Sequence, residues 1–442
     1  MAPNETGSRP LFPAGNLFPF FLVTALFFLW GIPNNLNDVL IKQFMKSFEI
    51  SRLEAGLVQF AFYLGYFFLA IPAGLLMRKF GYKAAFLTGL VLFGAGCLLF
   101  WPAALIGRYS FFLAALFVIA SGLSFLETSS SPFIAQCGDP ETSERRLNFS
   151  QTFNPLGAIT GALVGTVFIF SGIELNPAQV GALQAAHTYG AYLQIEKLRV
   201  IRPYVVLGLV VLVWAILIAR TKFPAIADEA EPGNRDRGNV RELFRHRHFI
   251  LAVVAQFLYV GAQVATWSYF IIYAQDYTHE PEKIAGYLLT GNLVALLAGR
   301  AFSTYLMKFI NPARLMGVYA VINVALVSIG VFLPGWTGLW ALLMTSFFMS
   351  LMFPTIFALG LKGLGANTKM GGSLIVMAIV GGALYPLGIG FLSEKLKSLA
   401  LAYGLLLPAY VFIAYYAFLG SRVRLTGQDW ERAETAGPGG GV

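Results

Sequence analysis

Long apolar runs separated by short polar turns recur along the whole chain. Twelve of them, near 19–45, 53–77, 84–103, 109–136, 148–171, 201–220, 249–274, 285–308, 314–333, 337–361, 372–393 and 400–420, each approach or exceed the roughly 20 residues an α-helix needs to cross hydrocarbon. A transmembrane barrel would instead show segments of about ten residues alternating in polarity. The pattern predicts an all-α membrane protein with twelve transmembrane helices.

The longest polar stretch after the sixth run, Thr221 to His248, crowds Asp228, Glu229, Glu231, Arg235, Asp236 and Arg237 around Pro232 and Gly233. It divides the chain into two pseudo-symmetric six-helix bundles, 19–220 and 249–420, joined by a linker at 221–248. Weak internal echoes fit parallel repeats with a site held between them. The second-to-third junction reads LMRKFGYK and the eighth-to-ninth LMKFINPAR, while SPFIAQCG in the fourth helix and FPTIFALG in the tenth place proline equally far before a closing glycine. Residues 1–18 lack a small-residue cleavage site before a short apolar core and read as a retained cytoplasmic segment. The tail, 421–442, ends GPGGGV and reads as disordered, and the outer loop 174–199 is long enough for a short surface helix.

Composition sharpens the class. Charged residues make up 12% of the chain, against roughly 25% in ordinary soluble proteins. In this setting the net charge of +9 bears on membrane orientation rather than on nucleic acid. With both termini cytoplasmic, inner segments hold 20 of the 31 lysines and arginines, outer segments 10, and Arg300 alone lies within a helix. Cys97 and Cys137 form no disulfide or metal-ligand spacing. No cofactor is expected, and the absence of any GxxxxGK[ST] argues against nucleotide-driven pumping.

Carboxylates in hydrocarbon are costly and mark function first. Two stand out: Asp38, in LFFLWGIPNNLNDVL beside Asn34, Asn35 and Asn37, and Glu127, in IASGLSFLETSSSPF. Asp38 is either a hydrated acid near the outer end of its helix or a proton carrier. Glu127 is either a bridge to a neighbouring helix or a functional acid. Apolar surroundings favour the neutral form of a carboxyl group, so such an acid can take a proton on one side and release it on the other. His187, His246, His248 and His279 all fall in predicted loops, so carboxylates carry any proton coupling.

Gln59, Gln151, Asn154, Gln256, Gln263 and Asn292 are amides within apolar spans, accompanied by Trp30, Tyr63, Tyr259, Trp267 and Tyr269. Singly such amides are helix-bridging groups. Together with aromatic faces they form the chemistry a neutral polyol needs, donors and acceptors beside C–H-binding rings. Arg300, in LLAGRAFS, is expected to snorkel or to hold the two halves together.

The segments NNLNDVL, QFAFYLGYFFLAIPAGLLMRKFGYKA, FLETSSSPF, RLNFSQTFNPLGA, AQFLYVGAQVATWSYF and FPTIFALGLKGLG resemble the L-fucose:proton symporter branch of the major facilitator superfamily, across helices one to twelve. That branch also contains glucose and galactose transporters. The resemblance implies two bundles rocking about a midplane site, Asp38 as the proton-coupling acid, and Glu127 in the sugar site with Asn35, Gln151 and Asn154 nearby. Gln256 and Gln263 join the substrate-binding set as amides of the seventh helix. Three departures stand out: Phe353 where the family carries tyrosine, Ser131–Pro132 where relatives carry Asn-Pro, and Arg78 in place of the superfamily's inner-loop aspartate. Glu127 favours the fucose-like members, since glucose and galactose members tend to carry glutamine there.

The expectation is thus proton-coupled monosaccharide symport across the inner membrane, with L-fucose, galactose or glucose as substrate, by a monomeric chain whose other partner is membrane lipid. Sodium-coupled symport, uniport and sugar or drug export use the same scaffold. A membrane-embedded glycosidase using the two carboxylates is the rival of another class, and no nucleophile or metal motif supports it.

Overall fold

The computed structural model describes residues 17–137, 149–223, 243–307, 309–364 and 368–422. Most of the expected linker, the N-terminal segment to residue 16 and the tail from residue 423 lie outside the described residues. The described chain holds twelve membrane-length helices: α1 Leu17–Phe48, α2 Arg52–Met77, α3 Lys79–Ile106, α4 Tyr109–Ser131, α5 Phe149–Ile169, α6 Tyr189–Arg220, α7 Arg247–Ser268, α8 Glu282–Leu306, α9 Pro312–Phe332, α10 Trp336–Leu361, α11 Leu374–Leu396 and α12 Leu399–Gly420.

Local sequence sets several boundaries. Ser51 and Glu54 form a reciprocal capping box at the start of α2, and Asn311 caps α9 ahead of Pro312 at its first position. The chain kinks at Gly81, in the first turn of α3, whose φ of 81° a side chain would disfavour. The outer loop holds two helices rather than one, Pro177–Ala185 and Tyr189–Leu198, and the second forms the outer end of α6. His248 is a correction to the loop assignment. It lies in the first turn of α7, buried, with Nε2 2.8 Å from the carbonyl of Lys362.

The two halves repeat one packing scheme. In the N half α1 lies against α5, and in the C half α7 lies against α11; between halves, α2 meets α11 and α5 meets α8. These pairings interchange when helices one to six are mapped onto seven to twelve. Small residues permit the closest approaches: a Cβ on Gly157 or Gly161 would stand 2.1 Å from a backbone oxygen of α1, and one on Gly381 2.0 Å from the Phe257 carbonyl of α7. Gly157→Val therefore forces α1 and α5 apart. It is expected to destabilise the fold by about 1–3 kcal/mol, the usual range for overpacking, read as a lower thermal midpoint in detergent. Gly181→Val, at a position with open space around its Cβ, should not move that midpoint comparably.

The halves are bolted together on the side away from the termini. Arg52 at the start of α2 pairs with Asp276 beyond the end of α7, and the Leu53 amide donates to Glu394 of α11 at 2.7 Å. Lys46 of α1 donates to Ser171 at 2.8 Å, to the Ile173 carbonyl at 2.7 Å and to the fully buried Glu282 of α8 at 3.2 Å. Glu282 also accepts from the Gly172 amide at 2.9 Å. Lys42 and Lys46 thus both lie inside the first helix, so Arg300 is not the only helical cation.

Candidate functional site

Sealing one side leaves a cavity of about 1300 Å³ between the halves, opening towards the side that carries the termini. Its walls run from the helix midpoints to Gln151 and Thr152 on α5, Pro312 on α9 and Lys362 after α10. Both predicted acids face it, together with Asn35, Gln151, Asn154 and Gln263.

Asp38 sits on α1 one turn past Pro33, where the helix lacks one backbone donor. Although it reaches the cavity wall, Asp38 is only 2% exposed, which sets aside the hydrated-end reading. Asn35 donates to its Oδ2 at 3.1 Å, and Gln59 of α2 and Ser268 of α7 donate to its Oδ1 at 2.8 and 3.0 Å. Burying a carboxylate is tolerable only with its oxygens satisfied in this way.

Glu127 of α4 accepts a hydrogen bond from Tyr66 of α2 and opens onto the cavity. Tyr63 lies within electrostatic reach of both acids. Asn154 is held by a 3.4 Å bond to the Phe27 carbonyl, and Gln151 is exposed to the cavity. Across the cavity Gln263 donates to the Tyr259 hydroxyl at 2.8 Å.

Aromatic rings supply the remaining walls. Phe27 and Trp30 pack at 4.3 Å between centroids, and Tyr259 meets Phe353 edge-on at 6.3 Å. Trp267 is fixed by its indole N–H, which donates at 3.0 Å to Ser346, and Ser346 in turn donates at 2.9 Å to Asn292. Asn292 therefore serves as a helix-bridging amide. Tyr269 is not among the described residues lining the cavity and donates at 2.7 Å to the Arg52 carbonyl.

Two expectations change. Gln256, two turns before Gln263 on α7, is wholly buried and is not among the described residues lining the cavity; its amide nitrogen and oxygen have no partner among the described residues. Arg300 neither snorkels nor joins the halves. It lines the cavity, and its Nε lies 3.4 Å from the carbonyl of Ser350, on α10 in the same half. That carbonyl is available because Pro354, four residues later, has no N–H to give it. Pro354 is the sequence signal for that unpaired carbonyl, though not for the arginine that meets it. Ser268 was not singled out in the sequence at all, since one serine in an apolar helix carries no distinguishing pattern.

The Major Facilitator Superfamily model matches residues 19–369. The L-fucose-proton symporter of Escherichia coli (strain K12) is 42% identical over 409 residues, covering 91% of this chain and 92% of that protein. A glucose/galactose transporter of Brucella abortus (strain 2308) is 33% identical over 407 residues, covering 92% and 94%. Among solved structures, the major facilitator superfamily transporter FucP in the outward conformation aligns with a TM-score of 0.70 at 40% identity, over 92% of this chain and 99% of that one. With twelve apolar spans, a two-bundle architecture and relatives of this extent, the chain belongs to the major facilitator superfamily, in the branch of the L-fucose–proton symporters and the glucose/galactose transporters.

Proposed function

We propose that the chain carries a monosaccharide into the cell together with a proton, by alternating access across the inner membrane, with both termini cytoplasmic. L-Fucose is the leading substrate and galactose or glucose the alternatives. The observation that carries this reading is the pairing, in one cavity open to one side, of an almost fully buried acid with a second, half-buried acid, in a wall that also carries Gln151, Asn154 and Gln263.

The two acids suit different tasks. Asp38 is enclosed by protein donors, which leaves little room for a sugar but lets a proton come and go. Glu127 faces the cavity that Gln151 and Asn154 also line, where a carboxylate can accept from sugar hydroxyls while the amides donate and accept. Trp30, Tyr259 and Phe353 offer faces for the C–H surface of a pyranose. Phe353 supplies a ring without a hydroxyl, so the sugar meets one fewer polar contact there. Coupling follows when protonation of Asp38 and sugar at Glu127 jointly favour the closed arrangement over the empty open one. Lysines and arginines concentrated on the terminal side support cytoplasmic termini, and the cavity then opens to the cytoplasm.

The purified protein in liposomes with an external pH probe tests this. Addition of L-fucose is expected to alkalinise the medium, with D-galactose, D-glucose and D-mannose added in turn to rank specificity. Sugar uptake that requires sodium and moves no protons would replace the proton with sodium. Sugar equilibration without either ion would make the protein a uniporter.

A further inference from the structure

Serine and threonine hydroxyls in the bundle commonly turn back to the carbonyl four residues earlier, as Thr266, Thr278, Thr290 and Ser303 do. Ser268 does not. It is the last residue of α7 before the helix breaks at Tyr269, and its hydroxyl crosses from the C half to Asp38 of the N half at 3.0 Å. Gln59 Nε2 donates both to Asp38 Oδ1 and, at 3.0 Å, to Ser268 Oγ. Because Ser268 accepts from Gln59, its single proton is directed at the carboxylate.

We infer that Ser268 is a positioning residue that makes proton release from Asp38 conditional on closure of the outer side. This rests on the symport reading and deepens it. A deprotonated Asp38 is a nearly buried charge that needs every donor around it. Asn35 and Gln59 belong to its own half and stay with it in any conformation. The third donor comes from the other half and reaches Asp38 only when the outer ends are together, as they are here through Arg52 and Asp276, Lys46 and Glu282, and Leu53 and Glu394. A protonated Asp38 instead carries its own O–H and needs an acceptor. Gln59 Oε1, buried and without a partner among the described residues, provides one once its amide turns over. The contact from α7 therefore favours the deprotonated acid in the conformation whose cavity opens to the terminal side, and the proton leaves in that direction. The other ionisable groups sensing Asp38 are Tyr63 on α2 and Tyr403 on α12, and Lys42 follows one turn later on α1.

Ser268→Ala in liposomes tests it. Sugar exchange between two equal pools can proceed without proton release, whereas net uptake cannot. Net sugar-driven proton uptake should fall roughly ten- to a hundredfold, the scale of one lost hydrogen bond to a charged group, while exchange stays within about twofold of wild type. Ser268→Cys, which fills the same space with a weak donor, should show the same split. If Ser268 acts through Asp38, adding Ser268→Ala to Asp38→Asn changes nothing further. Equal losses of exchange and net uptake would mark a structural role and overturn the inference, as would wild-type net uptake by either variant or a further loss in the double variant. A wild-type protein that exchanges sugar but moves no protons would remove the symport reading, and this inference with it.

Discussion

Asp38→Asn is expected to abolish accumulation of sugar against a gradient while exchange of sugar across the membrane persists. Carried by one proton per sugar, each pH unit of gradient supports about tenfold accumulation. The variant should bring that ratio down to about one. The asparagine side chain occupies the same volume and its carbonyl oxygen can still accept from Gln59 and Ser268, which donate to Oδ1 at 2.8 and 3.0 Å. Its amide faces Asn35, whose own amide must then turn to present its oxygen. The site is thereby held as a permanent mimic of the protonated acid, able to cycle with sugar and unable to release a proton. The check is radiolabelled sugar in cells or liposomes, with accumulation under an imposed pH gradient and counterflow without one measured on the same preparation. Wild-type accumulation by this variant would take the coupling role away from Asp38.

Why these two acids were readable in advance, and other parts of the site were not, follows from what each residue costs. A carboxylate in an apolar run is so unfavourable that its presence alone points to function. The twelve spans were equally readable, because hydrocarbon thickness demands about 20 apolar residues whatever the fold. Facing partners are another matter. Gln256 and Gln263 lie two turns apart on one stripe of α7, so periodicity treats them alike; only the depth of surrounding protein distinguishes the enclosed amide from the one on the cavity wall. Arg300 looked like a snorkelling cation because the sequence does not say which side of α8 meets α10. Lys46 and Glu282, 236 positions apart, meet only because the outer ends have closed. The first outer-loop helix was within reach, since Asn176, Pro177 and Gln179 spell a capping box. Ser268 gave no warning, for its importance lies wholly in the carboxylate it meets.

Glu127→Ala is expected to act on the sugar itself, weakening binding roughly ten- to a hundredfold, the range set by about 1.5–3 kcal/mol for hydrogen bonds to a charged group. The carboxylate is half-buried, anchored by Tyr66 and open to the cavity that Gln151 and Asn154 also line. Truncation removes the acceptor for sugar hydroxyls and frees the Tyr66 hydroxyl, which water in the cavity can satisfy, so the fold should tolerate the change. Glu127→Gln keeps the shape and one acceptor, and should fall between alanine and wild type. Calorimetric titration of purified protein with L-fucose separates this from a coupling defect, because Asp38→Asn should bind sugar much as wild type does. The two acids are 89 positions apart in sequence, on different helices of one half, and their variants should show opposite signatures: binding lost with Glu127, accumulation lost with Asp38. Should Glu127→Ala bind L-fucose normally yet fail to accumulate it, the roles are exchanged. Glu127 would then be the proton carrier, and the enclosed Asp38 a structural acid that holds Gln59 and Ser268 in place.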